Sequence, residues 1–268
     1  MHSREQMRRR EQGTAVSRAE TVSTRKIKPE TNICQMMDEH FLFYVPPEQI
    51  KHDRLQFTED EAHHIAKVLR KQPGDVVQAT DGVGNTMDVK LNVVDKKKVA
   101  GEVVATYITP AEPDRILAMG VIRQRERLEF AIEKAVELGV TKIVLVHSEH
   151  AGRMELKPKR IDKTMIAAIK QSRRPWLPAW EERDSFYEVL AEYRESREVV
   201  MAHPEVEGTY EWKADDSPML LMVGPEGGFS PKEVEQAVAS GVKIVSLGQK
   251  RLRTETAVCV MLALANYR

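Results

Sequence analysis

From residue 116 to the C-terminus, short apolar runs alternate with segments of helical spacing, and this alternation constrains the fold more than any other feature of the chain. The runs at 116–122, 142–146, 199–202, 219–223 and 243–247 read as strands, and 126–138, 159–171, 185–194, 231–240 and 254–267 read as helices. Strands that alternate with helices form a mostly parallel sheet covered on both faces. Residues 114–268 are therefore predicted to be an α/β domain.

Residues 40–109 follow a different pattern. Phe41-Leu-Phe-Tyr-Val45 is a short apolar run stopped by Pro46-Pro47. Thr58-Glu-Asp-Glu61 fits a capping box ahead of Ala62, Ile65, Ala66 and Leu69 at helical spacing. Strand-like stretches at 75–80, 86–93 and 98–106 are separated by turns. The pattern predicts a small β-barrel carrying one helix, followed by a linker at 109–113. Residues 1–39 hold eight basic residues and, up to Glu30, four acidic ones, with no apolar period. Such a segment buries too little surface to offset its ordering entropy, so it is predicted to be disordered: a dispensable tail, an upstream start extension or a basic arm.

Lys+Arg and Asp+Glu each number 41, so any nucleic-acid footprint must come from local clustering. The two cysteines, Cys34 and Cys259, make neither a disulfide framework nor a zinc site, and no metal is expected. No apolar run approaches the ~18 residues of a membrane helix. These features predict a cytoplasmic protein with no membrane partner.

Two segments carry chemistry. The strand at 219–223 runs into Gly224-Pro-Glu-Gly-Gly228, and Ser230-Pro-Lys-Glu233 then opens a helix with a capping box. The strand at 243–247 runs into Gly248 and Gln-Lys-Arg-Leu-Arg253, and Thr254-Glu-Thr-Ala257 heads an apolar helix, with Thr254 as its N-cap. Ligands of open α/β sheets bind at the carboxyl ends of strands, and glycine lets backbone approach a ligand closely. Each segment alone also reads as an ordinary strand-to-helix turn. The spacing is neither G-x-G-x-x-G nor a P-loop.

In this order, Val-Gly-Pro-Glu-Gly-Gly-Phe-Ser-x-x-Glu followed by Leu-Gly-x-x-x-Leu-Arg-Thr-Glu-Thr-Ala resembles the closing motifs of the SPOUT methyltransferases. The chain is most similar to the ribosomal small subunit methyltransferase E family, the 16S rRNA (uracil-N3)-methyltransferases. The likeness spans residues 41–268, including His64-Ile-Ala-Lys-Val-Leu-Arg70, residues 127–140, Gln171-Ser172 with Arg174 and Pro178, and His203-Pro204. It implies a PUA-like barrel followed by an α/β domain with a C-terminal trefoil knot, a homodimer, and S-adenosyl-L-methionine bound inside the knot. It further implies that the cofactor meets Met201, Ala202 and His203, the loop Gly224, Pro225, Glu226, Gly227 and Gly228, and Leu247, Gly248, Leu252, Arg253, Thr254, Thr256 and Ala257. The chain departs from the pattern at Lys170, where the family often has Glu, and at Leu42, where it often has Arg.

The implied partner is 16S rRNA within the small ribosomal subunit. Between Arg153 and Arg174 lie eight basic residues against two acidic ones, the local signature of phosphate binding. Arg153, Lys163, Gln171, Arg173 and Arg174 are candidate RNA contacts here, with His64 and Arg70 on the barrel helix, while Trp176 is placed to stack on a base. A solvated helix face is the plainer reading of such a run. N3 of uracil carries a proton and is a weak nucleophile until it leaves. A cation beside the base favours the anion, and Arg174 and Arg253 are the catalytic candidates. Glu226 can accept a proton but reads first as a cofactor-loop residue. Methylation of another nucleotide or of a 2′-hydroxyl, and a non-catalytic RNA-binding assembly factor, are the competing readings.

Overall fold

A computed structural model describes residues 41–151, 154–204, 210, 212 and 216–266. The segment 1–39 and Arg153 lie outside the described residues.

The barrel-like N-terminal domain contains β1 (Leu42–Tyr44), β2 (Ile50–Lys51), β3 (Arg54–Gln56), β4 (Val76–Thr80), β5 (Asn85–Val94) and β6 (Val99–Ile108). Their order is β1-β4-β5-β6-β3-β2, antiparallel except for the β1–β4 pair. Phe43, Leu55, Phe57, Ile65, Val77, Val89 and Leu91 fill its core. The sequence reading missed β2 and β3, which at two and three residues are too short to show alternation. Thr58 caps α1 (Glu59–His63) by accepting from the Glu61 N–H at 3.4 Å, and the helix continues as a π turn over His64–Val68. The predicted capping box is only half formed. The Glu61 carboxylate turns away, accepting from the Tyr44 N–H and from Lys170 Nζ at 2.6 and 2.8 Å.

The second domain is a wholly parallel sheet. It comprises β7 (Arg115–Gly120), α2 (Arg125–Glu137), β8 (Lys142–Val146), α3 (Pro158–Ser172), β9 (Ala179–Arg183) and α4 (Phe186–Tyr193). It continues through β10 (Glu198–Ala202), β11 (Met219–Val223), α5 (Pro231–Ala239), β12 (Lys243–Val245) and α6 (Thr254–Asn266). The strand order is β12-β10-β11-β7-β8-β9. Leu117, Met119, Ile143, Leu145, Leu221 and Val223 face α2, α3 and α6, while Ile116, Ala118, Val144, Leu220 and Met222 face α4 and α5. Each such side chain contributes about 1.5–3 kcal/mol on burial, which is why runs apolar at every position specify this two-sided sheet. The sequence reading missed β9, whose Ala-Trp-Glu-Glu-Arg lies at the sheet edge and stays partly exposed.

The basic stretch of α3 and the residues after it hold the two domains together. Lys163 meets Asp60 at 3.1 Å, Lys170 pairs with the buried Glu61 and lies over the Phe43 ring, and Arg173 donates to Gln78 at 2.7 Å. Arg174 is buried, bonded to Glu112 and to the carbonyls of Val136 and Val140. Trp176 packs over Gly84, forms a β-bridge with Val83 and donates to the Pro110 carbonyl at 3.1 Å. A Cβ at Gly84 (φ 101°) would overlap the indole, so Trp176 is a joint between the domains and not a base-stacking platform. Lys170, the first departure from the family pattern, finds its partner in Glu61. Leu42, the second, is buried in β1.

Candidate active site

The chain leaves β7 toward β8 and β9 on one side of the sheet and returns to build β10, β11 and β12 on the other. The strand order reverses beside β7, and such a switch point opens a crevice at the carboxyl ends of the strands. A cleft of about 710 Å³ lies there, walled by the loops after β10, β11 and β12. From the residues singled out in the sequence it gathers Ala202, His203, Gly224, Pro225, Glu226, Gly227, Gly228, Leu247, Gly248, Leu252, Thr254 and Ala257.

Three others stand apart from it. The side chain of Met201 is buried on the opposite face of the sheet among the residues under α4 and α5, because neighbours on a strand alternate in direction. Thr256 is exposed on α6. Arg253 lines a smaller adjoining pocket. Pro204, Val223, Phe229, Pro231, Val234, Glu235, Gln249, Lys250 and Arg251 complete the cleft, and of these Val234 and Glu235 lie outside the segments quoted from the sequence.

The cleft owes its shape to close backbone approach. The Thr254 hydroxyl donates to the Gly224 carbonyl at 3.1 Å, tying the β11 loop to the head of α6. Thr254 is thus the first residue of the helix and a cross-loop clasp, where an N-cap had been expected. Gly228 (φ 74°) and Gly248 (φ 117°) take backbone conformations that L side chains rarely adopt. Gly120, at the end of β7, lies directly under Pro225: a Cβ there would come within 2.5 Å of the Pro225 nitrogen and Cδ. A Cβ on Gly227 would meet His150 Cβ at 2.8 Å. A side chain at 227 therefore pushes on the 147–151 loop. The capping box at Ser230 is complete, with Glu233 accepting from the Ser230 N–H at 2.7 Å and Ser230 Oγ from the Glu233 N–H at 3.3 Å.

A larger hollow of about 1000 Å³ opens at the ends of β8 and β9, but Glu149, Glu155, Asp184 and Glu188 line it. Those carboxylates repel a phosphate backbone.

The profile of the RNA methyltransferase domain family matches residues 110–266, and that of the RNA methyltransferase PUA domain matches residues 57–104. The chain belongs to this RNA methyltransferase family. Its relatives include the ribosomal RNA small subunit methyltransferases E of Rickettsia conorii and Bacillus subtilis. The first is 25% identical over 226 residues, covering 82% of this chain and 92% of the relative, and the second 28% over 227 residues, covering 79% and 89%. The crystal structure of a ribosomal RNA small subunit methyltransferase E from Neisseria gonorrhoeae bound to S-adenosyl methionine superposes with a TM-score of 0.75 at 28% identity, covering 83% of this chain and 95% of the other. A probable rRNA-methyltransferase from Porphyromonas gingivalis is 35% identical with a TM-score of 0.73 and the same coverage. The resemblance to the small subunit methyltransferase E family is borne out.

In this RNA methyltransferase the residues expected to touch RNA do not form one surface. Arg174, expected both as a catalytic and as an RNA-contacting residue, is buried, and its guanidinium bonds Glu112 and the Val136 and Val140 carbonyls within the protein, so it offers no surface to RNA here. Lys163 and Arg173 are exposed; Arg173 donates to the neutral Gln78, while Arg160, Lys163 and Lys170 of α3 pair with Glu129, Asp60 and Glu61, so much of the charge on α3 is matched within the protein. His64 is half-buried edge-on against Phe41 and Phe43, and burial and the nearby Lys170 push its pKa down, which favours the neutral ring. Arg70 (φ 53°) and Gln171 are exposed. Arg123 and Arg125 are exposed on either side of Gln124, which lines the smaller pocket with Arg251 and Arg253, while Lys250 and Arg251 line the cleft.

Arg127 lies in the first turn of α2 and lines the smaller pocket. Its guanidinium holds Glu255 in a fork, Nε to Oε1 at 2.8 Å and Nη2 to Oε2 at 2.6 Å, and reaches Glu226 Oε1 at 3.4 Å. The Arg127 hydrogen bonds, against a smaller opposing effect of burial, hold the Glu255 carboxyl below the ordinary value of 4.5. A lowered folded-state pKa means that this pair stabilises the fold fully above 4.5 and less as pH falls through the folded value. Urea melts of Glu255→Gln and wild type should therefore differ by about 1.5–3 kcal/mol at pH 7. The gap should narrow as pH falls below 4.5, and a gap of constant size would refute this account.

Among the described residues no helix is long and apolar enough to cross a membrane, and no cluster of three or more His, Cys, Asp or Glu can hold a metal ion.

Proposed function

We propose that the chain transfers a methyl group from S-adenosyl-L-methionine to N3 of a uridine in 16S rRNA. The observation that carries this reading is the convergence of three strand-end loops, clasped by Thr254 and Gly224, on one glycine-walled cleft. The lining suits the cofactor chemically. Leu247, Leu252, Ala257 and Val234 offer apolar surface for an adenine ring. Glu235 offers a carboxylate to its cationic amino group, and Lys250 offers a cation to its carboxylate. Bound there, it would supply an electrophilic methyl group. Aligning that methyl with the nucleophile contributes up to about 7–11 kcal/mol through proximity alone.

N3 lies on the Watson–Crick edge, so the uridine must be unpaired or extruded to react. The barrel at 40–109 and the α/β domain at 114–268 divide the work in this reading, the first reading RNA and the second carrying out transfer. The return of α6 from the β12 edge to pack on β11 and α2 is the path on which a C-terminal knot would depend. Phe130 of α2 is exposed and Cys259 and Val260 of α6 are only half-buried, leaving an apolar face for a second copy of the chain. A homodimer acting on the small ribosomal subunit completes the proposal.

Calorimetric titration with S-adenosyl-L-methionine should give a saturable heat, and no binding at millimolar cofactor would overturn the enzyme reading. Small-subunit rRNA from cells lacking the protein should lose one N3-methyluridine and regain it on treatment with protein and cofactor. Loss of a different methyl mark would move the assignment to that nucleotide or to its 2′-hydroxyl.

A further inference from the structure

The cleft shares a wall with the second pocket, of about 370 Å³, lined by Gln124, Arg127 and Arg253 and by five residues that also line the cleft. The shared five are Pro225, Glu226, Arg251, Leu252 and Thr254. Ligand pockets span about 300–1,000 Å³, so the second is at the small end, sized for a single nucleoside and not a base pair. Its rim is cationic through Arg251 and Arg253. Glu226 is the one carboxylate in its lining among the described residues, and no histidine lines it.

Glu226 is also held in place. Arg127 sits between two carboxylates, gripped in a fork by Glu255 at the head of α6, and extends its remaining nitrogen to Glu226 Oε1 at 3.4 Å. The Glu255–Arg127 pair fixes the guanidinium, the guanidinium steadies one oxygen of Glu226, and the carboxylate stands at the seam between cleft and pocket. A group that takes a proton from a base about to be methylated must stand there, within reach of both partners of the reaction.

Resting on the function proposed above, we infer that this second pocket receives the extruded uracil and that Glu226 is the base that removes the N3 proton. The N3–H bond breaks and its proton moves to the Glu226 carboxylate. The freed electron pair forms the N3–methyl bond as the methyl–sulfur bond breaks, with that bond's electrons remaining on sulfur. Glu226 then releases the proton to water. Arg251 and Arg253 face the charge that develops on the uracil oxygens, the role of an oxyanion hole. Arg127 is a positioning residue, since its donors are committed to the two carboxylates.

The test compares wild type with Glu226→Gln on small ribosomal subunits lacking the methyl mark, from pH 6.5 to 9, alongside calorimetry with the cofactor. The wild-type rate should be nearly flat, because a carboxylate is the acceptor throughout. In E226Q the rate at pH 7 should fall by about 10²–10⁴-fold, the usual contribution of a positioned base. It should then climb about tenfold per pH unit as solvent takes over the deprotonation. Cofactor affinity should stay within about twofold of wild type. A flat profile at wild-type rate in E226Q would overturn the assignment, and so would a loss explained by weaker cofactor binding. Where E226Q does not fold, Glu226→Asp carries the test: a flat profile at a rate lowered at least about tenfold is expected, and an unchanged rate overturns it. A wild type that binds no cofactor defeats the underlying function, whereas an active wild type with an equally active E226Q defeats only the role of Glu226.

Discussion

Gly120→Ala should weaken cofactor binding by about tenfold or more while leaving the chain folded. The added Cβ would sit 2.5 Å from both the nitrogen and Cδ of Pro225 and 2.8 Å from its Cβ. One of these is a backbone atom and the others belong to a ring, so no rotamer change relieves the clash. Gly120 ends β7, which is buried on both faces and paired on both sides, by β11 and by β8. The strand cannot move, and the Gly224-Pro225 loop must. Overpacking of this kind costs about 1–3 kcal/mol. Because the strain falls on a cleft wall, most of it should appear in cofactor affinity. Gly241→Ala is the control. At φ 75° with open space around it, it should cost about 1 kcal/mol of stability through backbone strain and leave affinity alone. Calorimetry with S-adenosyl-L-methionine on both variants decides the matter, and wild-type affinity in G120A would show that the loop has room to spare.

Gly120 also shows where the sequence stops being informative. Read in the chain, it is the last residue of an apolar run, and nothing in its neighbourhood connects it with Pro225. The strands and helices were legible because their signals are local: periodicity, the capping box at Ser230, the glycine at position 139 that ends α2. The two cofactor-loop motifs were legible because each is a continuous segment. What remained hidden depends on residues far apart meeting in space. Arg127 and Glu255 are separated by 128 positions, and their fork organises the wall between the two pockets. The edge strand β9 was missed for a related reason: its side chains answer to solvent and to neighbouring ion pairs, so it lacks an apolar signature. The basic stretch at 153–174 misled most. Counting charges along a chain assumes that they are unpaired, yet Lys163, Lys170 and Arg174 are matched by Asp60, Glu61 and Glu112, which the sequence places 62 to 109 positions away.

The consequence is sharpest at Arg174, and it can be measured. A catalytic arginine and a structural one predict opposite outcomes for Arg174→Met. In the structure the guanidinium is 7% exposed, bonded to the Glu112 carboxylate at 2.7–2.9 Å and to the carbonyls of Val136 and Val140 at 2.9 and 2.6 Å. Those carbonyls belong to the C-terminal end of α2 and the turn after it, where the helix dipole favours a cation. Methionine fills the space but supplies no donor, so the Glu112 carboxylate and the Val140 carbonyl lose the guanidinium, while the Val136 carbonyl keeps the Gly139 N–H. Breaking a buried pair costs about 3–5 kcal/mol, and Glu112, one-quarter exposed, recovers some hydration, so about 3 kcal/mol is expected. For a chain of this size that lowers the melting temperature by roughly 6–12 °C. The double variant Arg174→Met, Glu112→Met should regain a large part of the loss, because the stranded carboxylate goes with its partner. Assayed well below its melting temperature, R174M should methylate at close to the wild-type rate and bind cofactor normally. A hundredfold loss of rate with an unchanged melting curve would return Arg174 to the reaction and show that the Glu112 pair opens when RNA binds.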